Sequence, residues 1–337
     1  MKKIRTLSVL LSVSLLAACG NTVNEPASVP ASVTVSVPQG SSSSSTSSAV
    51  SSVKSTAPSV SPYASSIKPP VSFESSVPNK PLCTGCALYC AEDGELVHGE
   101  NINDRIAPAS LTKLLTAVVA LKHASADEVF TVGTELSFVQ PESSLALIAP
   151  GQKLKLYDLI TGMLLPSGND AAYTVAVSVA RKASGSADMS DERAVEYFCG
   201  LMNDMARELG MNDSHFADPD GWDDDRHYTT VYDLVKLAEY ALTVPEIREI
   251  VSTPRKSVTF ETGEVADWMN GNVLIQPEWE EYYRPNAIGM KTGSTDNAGY
   301  CLIGAFSKKG KTYITVVVGS ELWEDRYDKT LRLIDSV

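Results

Sequence analysis

An abrupt change in composition near residue 80 limits which part of this 337-residue chain is able to fold around a core. Residues 21–80 are rich in Ser, Val, Pro and Ala, with tracts such as SSSSSTSSAVSSV and almost no aromatic side chains. Such a segment buries too little apolar surface to offset its ordering entropy, so we predict a disordered stalk. Folding is therefore predicted for residues 81–337, a length that fits one large domain.

The N-terminal residues carry the pattern of an export signal. A basic segment precedes an apolar run from Leu7 to Ala18 that is too short for a settled transmembrane span. The run ends in the sequence LAACG, which resembles the lipobox of bacterial lipoproteins. We therefore predict a signal peptide over residues 1–18 and lipidation of Cys19, which would anchor an extracytoplasmic protein to the cell membrane. An ordinary signal-peptide end with an incidental cysteine is the alternative.

Charge and motif content exclude several classes of function. The formal net charge of -13 at pH 7 disfavours binding to nucleic acid or to an anionic bilayer surface. The four histidines show no metallopeptidase spacing, and no glycine-rich phosphate loop is present. We therefore expect neither a zinc hydrolase nor a nucleotide-dependent enzyme, and we predict no metal and no cofactor.

Five cysteines lie in the predicted domain, an odd number that leaves at least one thiol unpaired. Cys83, Cys86 and Cys90 fall close together, whereas Cys199 and Cys301 are isolated in the sequence. A disulfide within the group of three, a metal cluster and inert thiols are all open interpretations. The metal is the least favoured, because only three ligands fall together and no histidine pair lies nearby.

The predicted domain has strands at both ends and helices between them. Two short strands joined at Asp93-Gly94 form a hairpin at its beginning. Further strands are predicted at 256–260, 289–295, 298–307 and 311–320, and helices from 110, at 157–165, 171–181, 192–210 (closed by Gly210), 231–242 and 326–337. This order predicts an α/β fold of the α+β type: one antiparallel sheet, its first strand beside its last, flanked by helices.

Ser-x-x-Lys occurs three times, at residues 51–54, 65–68 and 110–113. Only the third pair opens a helical pattern, whose apolar stripe anchors it to a core. There, Lys113 lies one turn from Ser110 and presents its amine to the same side. A serine hydroxyl needs such a base, and burial beside a cation such as Lys291 would lower the pKa of the amine. The alternative is that Ser110 only caps the helix.

Two further motifs follow in order: Ser167-Gly168-Asn169 in a turn between helices, and Lys291-Thr292-Gly293 at a strand. Together with Ser110-x-x-Lys113 they resemble the signature set of the penicillin-recognising serine enzymes. The segments RIAPASLTKLLTA, GMLLPSGNDAA, LGMNDSHFADPDG and GMKTGSTDNAGYCL are similar to the low-molecular-weight D-alanyl-D-alanine carboxypeptidases of the S11 serine peptidase family. The resemblance covers nearly all of residues 83–337. It implies a β-lactamase/transpeptidase-like fold with an all-helical subdomain.

The resemblance also implies a role for each motif residue. Ser110 would form the acyl-enzyme with Lys113 as base, Ser167 would relay a proton, and Asn169 would hold Lys113 and the substrate amide. The backbone N–H groups of Ser110 and Ser294 would form the oxyanion hole. The substrate would be bound by the following residues: Lys291, Thr292, Gly293, Ser294 and Arg326. For Arg326, which would contact the substrate carboxylate, a solvated arginine at a helix end is an equal alternative.

The implied activity is removal of the terminal D-alanine from peptidoglycan stem peptides that end in D-Ala-D-Ala, with β-lactam antibiotics as inhibitors. Cleavage of peptidoglycan cross-links, a serine β-lactamase and a non-catalytic β-lactam sensor are the alternatives, in that order. A β-lactamase would need a carboxylate such as Glu208 to drive water onto the acyl-enzyme, but we predict that Glu208 belongs to a helix. Asp218, Trp222 and Ser294 depart from the residues common in the family, which puts substrate preference in doubt.

Overall fold

A computed structural model describes residues 82–337 of the chain. The predicted signal peptide over residues 1–18, the lipidation of Cys19 and the predicted stalk lie outside the described residues. The same is true of the Ser-x-x-Lys pairs at 51–54 and 65–68. The predicted domain boundaries therefore stay predictions.

The strands of the described residues form one large antiparallel sheet and two small hairpins. They are β1 (Gly85–Cys90), β2 (Glu95–Glu100), β3 (Val129–Thr131), β4 (Lys153–Lys155), β5 (Arg255–Thr259), β6 (Val265–Met269), β7 (Ala287–Thr295), β8 (Gly299–Lys308) and β9 (Lys311–Ser320). Within residues 82–337 the large sheet has the order β2-β1-β9-β8-β7, and β3 with β4 and β5 with β6 form the hairpins. The first strand thus lies beside the last, as predicted from the sequence.

The helices lie between the two halves of the sheet in the chain, followed by one at the end. They are α1 (Thr112–His123), α2 (Leu156–Leu164), α3 (Asn169–Ser184), α4 (Asp191–Glu208), α5 (Val231–Thr243), α6 (Pro245–Val251) and α7 (Trp323–Asp335). A short 3-10 turn, Ala109–Leu111, leads directly into α1. None of the helices in residues 82–337 combines the length and the apolar character needed to cross a bilayer.

Local chemistry explains where these elements begin and end. Gly94 has a φ of 61° in the turn between β1 and β2, a conformation that glycine adopts without strain. Ser190 and Thr230 accept backbone hydrogen bonds as the N-caps of α4 and α5, and Gly210 follows α4 with a φ of 71°. The observed bounds confirm the predicted strands and helices to within a few residues. The sequence patterns missed β3, β4, β6 and α6, which are short.

Two apolar layers hold the sheet between helices. One side of the sheet packs against the helical cluster, where α1 and α3 are buried along most of their length. The other side packs against α7 through residues such as Leu88, Val317 and Tyr327. Burial on both faces explains the apolar runs of β8 and β9, for example VVV in β9. The 3-10 turn that precedes α1 lies between the helical cluster and the edge strand β7.

Candidate active site

Ser110 lies in the 3-10 turn at the start of α1, and its half-buried side chain is reached by the amine of Lys113. Lys113 Nζ donates a hydrogen bond of 2.7 Å to Ser110 Oγ. The second hydrogen bond of this amine, 2.8 Å long, goes to the backbone carbonyl of Asp220. The one-turn spacing predicted from the sequence therefore brings the serine and the lysine into contact.

The surroundings of Lys113 shift its protonation equilibrium towards the neutral amine. Its side chain is fully buried, and burial lowers the pKa of the amine, although the carboxylates of Asp220, Asp218 and Asp170 oppose this shift. A neutral amine at hydrogen-bond distance from a hydroxyl is able to accept its proton. Burial also raises the pKa of the Asp220 carboxyl, which the charge of Lys113 opposes. The pair therefore shares a site in which both charged forms are disfavoured.

Ser167 and Lys291 form a second contact of the same kind. Ser167 lies in the turn between α2 and α3 with a φ of 64°, and Lys291 lies on β7. Lys291 Nζ donates hydrogen bonds of 2.9 Å to Ser167 Oγ and to the backbone carbonyl of Thr292. Burial lowers the pKa of the Lys291 amine well below its usual value, and the positive charges of Lys113 and Arg326 add to this effect. The two lysines are thus close enough to influence each other's protonation.

Asn169 is the first residue of α3, immediately after the turn that holds Ser167. Its side-chain amide donates a hydrogen bond of 3.0 Å to Ser143 Oγ. Among residues 82–337 the structure shows no hydrogen bond between Asn169 and Lys113, so the expected holding contact is replaced by one to Ser143. Ser143 itself was missed in the sequence, because it lies in an irregular segment without a motif.

The Lys-Thr-Gly segment of β7 passes directly over the nucleophile turn. A Cβ atom placed on Gly293 would lie 3.1 Å from the backbone nitrogen of Ser110 and 3.1 Å from the Cβ of Ala109. A side chain at this position would force the strand and the turn apart by a few tenths of an ångström. Gly293 therefore lies beside the backbone of Ser110, and Ser294, the next residue of β7, is exposed.

Gly221 provides a second close approach that the sequence reasoning missed. It has a φ of +89°, and a Cβ atom on it would lie 1.8 Å from the carbonyl oxygen of Ala109. The preceding residue, Asp220, supplies the carbonyl that receives the Lys113 hydrogen bond. The segment Pro219-Asp220-Gly221 is a turn signal in the sequence. That signal gives no indication that the turn touches the nucleophile.

The half-buried Asp218 and the buried His227 hold this loop in place. Asp218 Oδ1 accepts hydrogen bonds from the backbone N–H groups of Asp220 (3.1 Å) and Gly221 (2.6 Å), and Asp218 Oδ2 lies 2.8 Å from His227 Nδ1. His227 Nε2 shares a hydrogen bond of 2.9 Å with Thr112 Oγ1. Burial alone would raise the pKa of the Asp218 carboxyl, but hydrogen bonds from His227, from the Asp220 side chain and from the Gly221 N–H lower it. The departure at Asp218 therefore adds a carboxylate beside the start of α1.

Arg326 is buried beneath the Lys-Thr-Gly segment and does not lie in solvent. Its side chain is 5% exposed, and Nη1 donates hydrogen bonds of 3.3 Å to the backbone carbonyls of Gly293 and Cys301. The rings of Tyr300, Trp323 and Tyr327 surround the guanidinium at 5.0 to 5.5 Å. The solvated alternative is therefore wrong, and Nε, which has no hydrogen bond among the described residues, is left as a free donor.

Glu208 lies away from this group of residues. It is the last residue of α4 and pairs with Lys122, near the C-terminal end of α1, where its side chain is 48% exposed. Ser110 lies at the opposite, N-terminal end of α1. The prediction that Glu208 belongs to the helix and not to the site is thus confirmed.

Comparisons with known proteins identify the family of the chain. The model of the S11 peptidase family, described as D-alanyl-D-alanine carboxypeptidase, matches residues 87–321. The chain belongs to this family. Among its relatives, the D-alanyl-D-alanine carboxypeptidase of Streptomyces sp. strain K15 is 33% identical, over 72% of this chain and 82% of the relative.

Longer members of the S11 family match over a smaller share of their length. The D-alanyl-D-alanine carboxypeptidase DacF of Bacillus subtilis is 28% identical over 72% of this chain and 59% of its own. DacA of Escherichia coli is 31% identical over 72% of this chain and 57% of its own. The chain therefore spans less than two thirds of these two relatives.

Solved structures of the family confirm the predicted β-lactamase/transpeptidase-like fold. The crystal structure of the Streptomyces K15 DD-transpeptidase matches with a TM-score of 0.69 at 28% identity, over 76% of this chain and 97% of the other. Penicillin-Binding Protein D2 from Listeria monocytogenes, in its ampicillin-bound form, matches with a TM-score of 0.61 at 30% identity, over 77% of this chain and 98% of the other.

Proposed function

We propose that the protein is a serine-type D-Ala-D-Ala carboxypeptidase that removes the terminal D-alanine from peptidoglycan stem peptides. One observation carries the proposal: the buried amine of Lys113 lies 2.7 Å from the hydroxyl of Ser110. Burial lowers the pKa of this amine, as general-base catalysis near neutral pH requires. The family model, whose description names this activity, supports the choice of substrate.

In the proposed reaction, Lys113 accepts the proton of Ser110 Oγ while the oxygen attacks the carbonyl between the two D-alanines. The backbone N–H groups of Ser110 and Ser294 donate hydrogen bonds to the carbonyl oxygen, on which negative charge develops. Lys113 then gives this proton up, and Ser167, hydrogen-bonded to Lys291, relays it to the leaving amine. Water then hydrolyses the ester on Ser110 and releases the shortened peptide. Penicillin would acylate the same hydroxyl, as a structural analogue of the substrate.

The substrate carboxylate would bind beside the Lys-Thr-Gly segment. Thr292, Gly293 and Ser294 line β7 there, and Arg326 lies immediately beneath. Arg326 contributes positive charge at this position, and its contact to the Gly293 carbonyl holds the strand. Asn169 would bind the substrate amide from the facing turn.

Substitution of the nucleophile tests the activity. The full chain carrying Ser110→Ala should release no D-alanine from a stem pentapeptide and should gain no mass on incubation with penicillin. Ser65→Ala is the matched control, because it changes the serine of another Ser-x-x-Lys pair and should leave both readouts unchanged. D-alanine release by Ser110→Ala at the unsubstituted rate would refute the proposal. Rapid turnover of penicillin, in place of a persistent acyl-enzyme, would identify a β-lactamase instead.

We also propose that the protein is exported and held at the membrane by a lipid on Cys19. The sequence LAACG at residues 16–20 and the preceding apolar run support this proposal. In cells, Cys19→Ser should move the protein from the membrane fraction to the soluble extracytoplasmic fraction. Metabolic labelling with a fatty acid should be lost in the same variant, and its retention would contradict the proposal.

A further inference from the structure

Two thiols face each other where the chain enters the sheet. Cys83 lies just before β1 and Cys86 within it, and they are 4% and 0% exposed. The thiols hydrogen-bond to each other. Their sulfur atoms and a carboxylate oxygen of Glu100 all lie within 4.8 Å of one another. The spacing Cys-x-x-Cys therefore brings the two sulfurs together in the folded chain.

The charges around the pair distinguish the two thiols. Hydrogen bonding from Cys86 lowers the pKa of the Cys83 thiol; burial opposes this and the ammonium of Lys329 assists it. The same hydrogen bond and burial raise the pKa of the Cys86 thiol. Lys329 is held in position by Glu100, to which its Nζ donates a bond of 2.7 Å. Cys83, which lies at the entry of the chain into the sheet and is 4% exposed against 0% for Cys86, is the thiol that an external reagent would reach first.

These contacts favour a disulfide over a metal ion. Glu100 already accepts a bond from Lys329, and His98 Nε2 lies 2.8 Å from the same Oε1. A cation would have to displace an ammonium group from this carboxylate. Structural zinc also takes four ligands, whereas the cluster in residues 82–337 offers three.

The remaining cysteines of the described domain lie elsewhere. Cys90 is at the other end of β1, where its thiol donates a bond of 3.3 Å to Asp93. Cys301 lies on β8, and its thiol donates to the Ala298 carbonyl. Burial raises the pKa of Cys199 and Cys301 to about 12 and about 11. Neither is therefore poised to react.

Three hydrogen bonds fix the backbone next to Cys83. The Thr84 N–H donates a hydrogen bond of 2.9 Å to the Val318 carbonyl, and the Thr84 hydroxyl donates one of 3.1 Å to the same oxygen. Asn101 Nδ2 donates a hydrogen bond of 2.7 Å to the Thr84 carbonyl. These three bonds hold Thr84, which directly follows Cys83, against β9 and the end of β2. The two sulfurs lie within 4.8 Å of each other, so formation of an S–S bond of about 2 Å needs them to approach by less than about 3 Å.

We propose that Cys83 and Cys86 are an oxidative modification site that closes to a disulfide by exchange with an external disulfide. The Cys83 thiolate attacks one sulfur of the external disulfide, forms a mixed disulfide and releases one thiol. Cys86 then loses its proton and displaces the second thiol, so that the Cys83–Cys86 bond forms. The two thiols lose two electrons and two protons, and the external disulfide is reduced to two thiols. The bond would tie the entry of the chain to β1.

Peptide mass mapping of the full chain tests the site. Tryptic cleavage after Lys54 and Arg105 leaves Cys83, Cys86 and Cys90 on one peptide, because the intervening lysines precede proline. In the variant Cys90→Ser this peptide carries only the proposed pair. After incubation with glutathione disulfide, removal of the reagent, denaturation and alkylation with iodoacetamide, it should carry no alkyl group. After reduction and alkylation it should carry two.

Matched variants and alternative products decide the interpretation. Cys83→Ser and Cys86→Ser should each leave the partner thiol alkylated or joined to glutathione. Cys90→Ser should keep the activity of the unsubstituted protein, since it lies outside the active site. Two alkyl groups after the glutathione treatment of Cys90→Ser would overturn the proposal. Stable glutathione adducts on that variant, or zinc that blocks alkylation until a chelator is added, would overturn it equally.

Discussion

Gly221 provides the sharpest test of how the fold holds the nucleophile. In Gly221→Ala the new Cβ would lie 1.8 Å from the Ala109 carbonyl, far below the 3.0 Å that Cβ atoms respect. The loop would have to withdraw from the 3-10 turn by more than an ångström. Asp220 would then move away from Lys113, whose amine its carbonyl holds at 2.8 Å. A displacement of about 1 Å at a catalytic group commonly lowers the rate about 100-fold.

Gly151 supplies the matched control for backbone strain. It has the same φ of +89°, but nothing lies within 4 Å of the position that its Cβ would take. Gly151→Ala should lose about 1–2 kcal/mol of unfolding free energy from the left-handed conformation alone. Gly221→Ala carries this penalty and a further ~1–3 kcal/mol for overpacking. For a domain of this size each kcal/mol corresponds to roughly 2–4 °C in the melting temperature.

Two measurements on both variants separate strain from displacement. Thermal unfolding gives the stability change, and D-alanine release from a stem pentapeptide, measured well below the melting temperature, gives kcat. Gly151→Ala should keep its activity, whereas Gly221→Ala should lose about two orders of magnitude. A folded Gly221→Ala with the kcat of Gly151→Ala would refute the idea that this loop positions Lys113.

Three further predictions concern charges at the site. Burial lowers the pKa of Lys113 to about 8, and the base acts when it is deprotonated. We therefore expect kcat/KM to rise with pH and to level off above about pH 8. A rate independent of pH from 6 to 9 would contradict this role. In Asp218→Asn, the loss of a carboxylate that raises the pKa of Lys113 should move this rise to lower pH, and an unchanged profile would contradict the coupling. Arg326→Met should lower kcat/KM roughly tenfold or more, because a charged donor to the Gly293 carbonyl is lost. Arg332 is exposed on the same helix, and Arg332→Met should have no effect.

Much of the fold followed from local patterns. The apolar stripe after Ser110 predicted α1, and the Val-rich run of 311–320 predicted β9. Placement of the first strand beside the last was correct as well, because strands at both ends of the domain need a common sheet. The elements missed were short ones such as α6, which starts at Pro245 directly after α5. Such elements carry too few residues for a periodic pattern to be visible.

The sequence by itself determined which side chains are available for chemistry. It placed Ser110 and Lys113 one turn apart on a helix, because helical geometry is local. It also singled out Ser167, Asn169 and Lys291 through motifs that resemble those of a known family. A resemblance assigns roles to these residues, but it contains no distances. Their convergence depends on contacts between distant parts of the chain.

Only the tertiary structure decided how those side chains meet. Lys291 reaches Ser167 across 124 residues of sequence because β7 lies beside the helical cluster. Asp220 acts through its backbone carbonyl, and Gly221 acts through the absence of a side chain. A carbonyl is present at every residue, and a close approach exists only between packed segments. No sequence pattern reveals either feature, so folding alone produces the site that holds Lys113 against Ser110.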